Sequence, residues 1–228
     1  MSKFLLYLTF FSLSFTSVKA QDINALLPKT RQKIESVNDY EAAGKMKTNV
    51  AFLKVPVADV NIYFKKPNQL KLKSSKGVSF VPKGAVSFNI NNIISTNFTV
   101  LDAGNDKVNN VDVRVAKLLP NDDNNDIVLA TLYIDPVNFV VLKSKTTTKE
   151  NGTYELEMKY GKFIGFGLPD KILFSFNTKD YKLPKGVTFD FDIGNENAVA
   201  AVKNKKGVAE IVLSSYIINK GISDAVFK

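Results

Sequence analysis

The sequence predicts an α+β protein that is mainly antiparallel β, with about ten or eleven short strands following one amphipathic helix. Three observations carry this. From Tyr40 onward, short runs rich in Val, Ile, Phe, Tyr and Thr succeed one another between turn residues. No helical pattern intervenes that could serve as a crossover between parallel strands. Pro67, Pro82, Pro120, Pro136, Pro169 and Pro184 sit mostly at run ends, where a missing backbone N–H costs least.

The elements follow in order. Met1 to Lys3 is a short basic start, Phe4 to Phe15 is apolar with interspersed Ser and Thr, and Val18-Lys19-Ala20 is a small-x-small site before Gln21, so residues 1–20 read as a removed signal peptide. The apolar run falls short of the ~20 residues that span a bilayer. No Cys follows the cleavage site to take a lipid anchor. From Asp22 to Asp39 the residues Ile23, Leu26, Leu27, Ile34 and Val37 recur at helical spacing around Pro28, giving one amphipathic helix after a capped turn, or two short pieces. Met46 to Val55 reads as one β-rich run ending at Pro56. Val60 to Lys73 alternates strictly, with Val60, Ile62, Phe64, Leu70 and Leu72 on one parity and Asn61, Lys65, Lys71 and Lys73 on the other.

Further strands are expected at 78–81, 85–88, 98–101, 111–117, 127–134, 139–148, 154–160, 172–177, 188–193 and 210–219, with a short helix near 91–96. Asn151-Gly152 is the strongest hairpin signal, since both residues tolerate positive φ. With no internal repeat and no low-complexity linker, residues 21–228 read as a single domain, expected to be monomeric.

Composition removes most catalytic chemistry. The chain has no His, Cys or Trp, which excludes zinc clusters, Cys nucleophiles and Ser-His-Asp triads. Loss of Lys3 and Lys19 takes 31 Lys+Arg to 29 against 22 Asp+Glu, a formal charge of +7 where the whole chain carries +9. The lysines are scattered along strands without stacking aromatics between them, so nucleic acid is not an expected partner, and anionic lipid headgroups or acidic partners suit the charge better. Asn121 to Asp126 mimics a calcium loop but lacks the Gly and Glu such a loop needs, and reads as a solvated hairpin loop. Glu155/Glu157 and Asp190/Asp192 lie at i,i+2 on strands whose other parity is apolar, so each pair faces solvent. Gly161 to Gly167 opens no helix and reads as a bend or close backbone approach in the sheet. Asn97 and Asn151 head glycosylation sequons that matter only in a host that uses them. No enzyme activity, cofactor or metal is expected.

Phe64-Lys65-Lys66-Pro67-Asn68-Gln69-Leu70 stands apart. If parity continues, Lys66 falls in phase with Ile62 and Phe64. It then needs an acidic or carbonyl partner, a polar ligand headgroup, or a route to snorkel out. Alternatively Pro67-Asn68 turns the chain and leaves Lys66 in water at the turn.

The order of signal peptide, amphipathic helix, Tyr40-Glu41-Ala42-Ala43-Gly44-Lys45-Met46, and then Phe64-Lys65-Lys66-Pro67-Asn68 resembles the LolA-like periplasmic carriers of outer-membrane lipoproteins. So do Leu132-Tyr133-Ile134-Asp135 and Gly167-Leu168-Pro169-Asp170-Lys171-Ile172. Val78-Ser79-Phe80-Val81-Pro82 stands where a Trp-rich strand is common, so the resemblance is to a divergent member. It implies a strongly curved, unclosed half-barrel sheet whose concave apolar face is covered by helices and holds acyl chains of lipoproteins or lipids. It also implies an inner-membrane lipoprotein-releasing transporter and an outer-membrane receptor as partners. Lys66 takes the place of a basic residue, usually Arg, under the lid. The expected ligand-binding residues are Ile62, Phe64, Lys66, Pro67, Asn68, Leu70 and Leu72. Such a carrier needs a large apolar concavity and no reactive groups, as 17 Phe and the absence of His and Cys suggest. The alternatives are a half-barrel that binds protein as a sensor or assembly partner, and a secreted β-sandwich for carbohydrate, which the lack of Trp disfavours.

Overall fold

The computed structural model describes residues 22–50, 53–54, 57–67, 69–75, 97–150, 152–177 and 206–228. The signal peptide, the strands expected at 78–81, 85–88 and 188–193, the helix at 91–96, and Asn68 and Asn151 lie outside the described residues.

Helix α1 spans Ile23–Glu35 and is followed by β1 (Asp39–Val50), β2 (Leu53–Lys54), β3 (Ala58–Lys65), β4 (Gln69–Ser74), β5 (Phe98–Val108) and β6 (Val111–Pro120). Then come β7 (Ile127–Asp135), β8 (Val140–Thr148), β9 (Gly152–Lys159), β10 (Lys171–Asn177) and β11 (Lys206–Ile218). All eleven lie in one antiparallel sheet of order β4-β3-β1-β11-β10-β9-β8-β7-β6-β5, with β2 folded back on β1. Among the described residues the terminal strands β4 and β5 do not pair with each other, so the sheet is an unclosed half-barrel.

Chain order explains this topology except at one place. Successive hairpins build β5 to β10 and β1 to β4 as local antiparallel pairs. The two sets are joined by β11, which pairs with β1 at Tyr40↔Ile218 through Asn49↔Val208 and with β10. That β1–β11 pairing slips between Ala43 and Gly44, so Ser214 is extra and donates its hydroxyl to the Ala43 carbonyl at 3.1 Å. The extra residue resets parity, putting Leu213 and Tyr216 on the same face. Gly44 is required there, because a Cβ would lie 2.2 Å from the Val212 carbonyl oxygen.

Several sequence expectations are corrected. Met46 to Val55 is two strands, β1 and β2, because the chain reverses after Val50 to pair Asn49 with Lys54. Val60 to Lys73 is two strands split by a turn, yet parity survives because the hairpin pairs Phe64↔Leu70 and Ile62↔Leu72. Phe139 is left-handed, φ 55°, and precedes β8. Gly161 to Gly167 does not lie in the sheet. It carries a single 3₁₀ turn, Ile164–Phe166, ended by Gly167 at φ 68°, in the β9–β10 connection. The hairpin signal at residue 152 does mark the β8–β9 turn, with Gly152 at φ 66° and paired to Thr148.

Helix α1 is one 13-residue element running through Pro28. Asp22 caps it by accepting from the Asn24 backbone N–H at 3.0 Å. Ile23, Leu26 and Thr30 are buried, and Leu27 and Ile34 flank them, a stripe at three-to-four spacing that packs on β6 and β8. It is the only α-helix among the described residues, where the resemblance implied several. The opposite sheet face is polar in large part, with Lys171–Glu210 at 2.8 Å and Lys143–Glu155 at 3.6 Å. A small patch of Val108, Val113, Val115, Tyr133 and Leu142 interrupts it.

Candidate functional site: an apolar face under a fastened helix

Registered pairing runs an apolar surface across the sheet. Leu72, Ile62, Ala42 and Tyr216 form one row, and Leu70, Phe64, Tyr40 and Ile218 the next. Further along, Ala209, Phe174, Leu156, Ser144, Leu132 and Ala116 line up on the same face. This surface divides into two clusters. The larger contains Ile23 and Leu26 of α1 with Ala116, Leu118, Leu132, Ile134 and Phe174. The smaller contains Ala42, Met46, Val60, Ile62, Ile211 and Leu213, with Leu70 and Leu72 packed against it, and no residue of α1. Ile172 touches both, so the clusters are continuous.

At the rim where α1 ends, aromatic rings line the smaller cluster. Phe64 stacks on Tyr40 at 5.3 Å, Tyr40 meets Tyr216 edge-on at 5.5 Å, and Tyr216 lies 4.8 Å from Phe163. The Tyr216 hydroxyl donates to the Pro169 carbonyl at 2.7 Å and that of Tyr160 to the Val141 carbonyl at 2.9 Å. Burial pushes the phenols of Tyr40, Tyr160 and Tyr216 well above their ordinary range, with Tyr40 and Asp170 adding to the effect at Tyr216. They stay neutral and act as amphipathic wall rather than as acids or bases.

Polar contacts fasten the end of α1 to this rim. Lys66 donates from Nζ to the Glu35 carbonyl and to Asn38 Oδ1, the latter at 3.2 Å. A cation at the last carbonyls of a helix also meets the negative end of its dipole. Asn219, φ 55°, accepts from the Asn38 N–H at 2.7 Å and donates to the Ser36 carbonyl at 3.1 Å. Lys33 donates to the Asn138 carbonyl at 2.6 Å in the β7–β8 turn. The helix end is therefore tied to the β3–β4 turn, to β11 and to the β7–β8 turn.

Of the predicted site residues, Ile62 and Phe64 are buried on the apolar face, and Leu70 and Leu72 are half-buried on the terminal strand. Lys66 sits in the β3–β4 turn rather than on the apolar face, because the chain leaves the strand after Lys65, and it finds the carbonyl partner that a half-buried lysine needs. Pro67 is exposed in that turn, and the Lys66–Pro67 peptide is cis. Sequence reasoning missed Tyr40, Tyr216, Lys33 and Asn219. Parity in β1 and β11 could have found the first, but the bulge at Ser214 hides the second, and the two tethers depend on contacts between distant parts of the chain. It also missed Arg114, buried on the inner parity of β6, which pairs with Asp102 and donates to Asn105 Oδ1 at 2.7 Å. The bulge between Asp102 and Asn105 turns both side chains toward it.

Among the described residues this arrangement presents a hydrocarbon and aromatic wall with α1 tied across part of it. An unclosed antiparallel half-barrel with a helix across its apolar face is the LolA-like fold, and solved structures of that fold superpose on this chain. A candidate outer membrane lipoprotein-sorting protein domain from Vibrio parahaemolyticus matches with a TM-score of 0.56 at 11% identity, covering 89% of this chain and 94% of that one. A LolA superfamily protein from Nitrosomonas europaea matches with 0.55 at 11%, covering 92% and 98%. A DUF1329 family protein from Desulfovibrio piger matches with 0.54 at 13%, covering 90% and 97%. No protein-family model and no curated protein matches the sequence. At these identities the likeness is one of fold.

Proposed function

We propose that the chain is a non-enzymatic periplasmic carrier that holds the acyl chains of lipoproteins or lipids against the β4-β3-β1-β11 side of its apolar face and passes them toward the outer membrane. In this reading residues 1–20 direct export, and Ile62, Phe64, Leu70 and Leu72 contact cargo. Lys66 holds the end of the covering helix. The cargo's source and destination are an inner-membrane lipoprotein-releasing transporter and an outer-membrane receptor, and the mature chain works as a single-domain monomer. The observation that supports it most is the continuity of the two clusters, which share Ile172 and make one apolar surface whose larger part alone includes apolar residues of α1. Each buried CH₂ of an acyl chain contributes ~0.8 kcal/mol, so a chain laid along this surface binds tightly without chemistry, and release is a matter of a competing apolar site.

The test is native mass spectrometry of residues 21–228 recovered from a periplasmic extract without detergent, followed by organic extraction. Bound phospholipid or lipoprotein, absent from a folded Phe64→Glu variant, is the expected result. A clean apo mass that takes up no offered acyl ligand would move the reading to a half-barrel that binds protein.

A further inference from the structure

The rim where α1 ends also carries exposed apolar tips among cations. Val137 in the β7–β8 turn is 79% exposed, and Phe166 in the 3₁₀ turn before β10 is 45% exposed. Lys33 joins their two turns: its ammonium bonds the Asn138 carbonyl at 2.6 Å, and a Cβ on Gly167 would lie 3.6 Å from its Cγ. Lys29, one helical turn earlier, lies over the Phe139 ring at 5.1 Å, and Lys162 lies 5.3 Å from the Phe163 centroid. Both Lys29 and Lys162 are exposed. The acids of these two turns are turned inward, while Glu35 in the last turn of α1 is exposed. Asp135 is buried and accepts from the Val137 and Asn138 N–H groups and the Asn138 amide. Asp170 is half-buried and accepts from the Lys162 N–H at 3.2 Å. What faces outward is positive charge around two apolar side chains on adjoining turns.

We propose that this rim docks on an anionic phospholipid bilayer, with Val137 and Phe166 entering the boundary between headgroups and acyl chains and Lys29 and Lys162 meeting lipid phosphates. Charge complementarity selects the occupant. Two single tips on turns do not make the ~800 Å² flat patch per partner that a stable protein interface needs, but such tips ringed by lysines suit a bilayer surface, where apolar insertion and attraction to anionic lipid add together. The docking stands on the geometry of the rim. The carrier reading supplies its use, because the same rim holds the fastened end of α1, which docking would bring against the bilayer.

The experiment is co-flotation of the mature chain with vesicles of phosphatidylcholine alone or mixed with phosphatidylglycerol, at low and high salt. Loading of a fluorescent fatty acid is read in the same samples. Binding to the mixed vesicles is expected to fall with salt and to fall about fivefold for each charge removed in Lys29→Gln and Lys162→Gln. It should fall by about tenfold in Phe166→Ser with Val137→Ser, with fatty-acid loading unchanged. Equal binding to both vesicle types, binding to neither, or variants that bind like the native chain would each overturn the proposal, as would capture of an acidic protein by the rim without vesicle binding. Loss of fatty-acid loading with vesicle binding intact would instead count against the carrier reading alone.

Discussion

The two ends of the same apolar face are finished differently. Under α1, Ala116, Ala130, Leu132 and Ile134 are fully buried and the helix's own Ile23 and Leu26 close the cluster. Toward β4 the face ends on half-buried Leu70 and Leu72, and aromatic rings rather than helix residues line its upper edge. One end is finished as a folding core, where volume and shape are fixed. The other is as buried at Ala42, Met46 and Val60 but ends on the half-buried leucines of the terminal strand, beside a helix end that is held by a few polar contacts.

That contrast can be broken in graded steps. Leu132→Ala, in the closed end, should cost about 2–5 kcal/mol in denaturant unfolding, because the cavity cannot be filled from solvent. Gly44→Ala should cost about 1–3 kcal/mol, since the new Cβ meets the Val212 carbonyl rather than a movable side chain. Lys66→Met keeps the stem and removes the ammonium, so it should lower stability by about 1–2 kcal/mol while speeding hydrogen exchange in the last turn of α1 more than in β6 or β8. Leu72→Ala, at the open end, should cost no more than about 1 kcal/mol and weaken acyl-ligand binding instead. A Leu72→Ala penalty as large as that of Leu132→Ala would erase the distinction between the two ends.

Much of this was legible in the sequence, for local reasons. Ile62, Phe64, Leu70 and Leu72 share one face because a period of two and an even hairpin register are written in a short stretch of chain. The same locality gives α1 its apolar stripe and the sheet its antiparallel order. The site's finishing details were not legible, because they come from partners far apart in sequence. Tyr216 reaches the apolar face only through the bulge at Ser214, which appears when β11 meets β1. Lys66 parted from its expected parity because the turn begins at it, and its partner is a helix carbonyl that no residue type announces. Arg114 reads as one more charged strand residue until the β5 bulge brings Asp102 and Asn105 against it.

In the proposed carrier one face of β3 meets cargo and the other does not, and a single strand tests it. Asn61 is exposed on the outer face, three residues before buried Phe64 on the inner one. Titration of a fluorescent fatty acid into folded Asn61→Glu and Phe64→Glu chains should give native binding for the first and loss of binding for the second, since an unpaired carboxylate on the apolar surface costs several kcal/mol. Native binding by Phe64→Glu, or equal loss in both, would contradict the assignment of this face as the cargo surface.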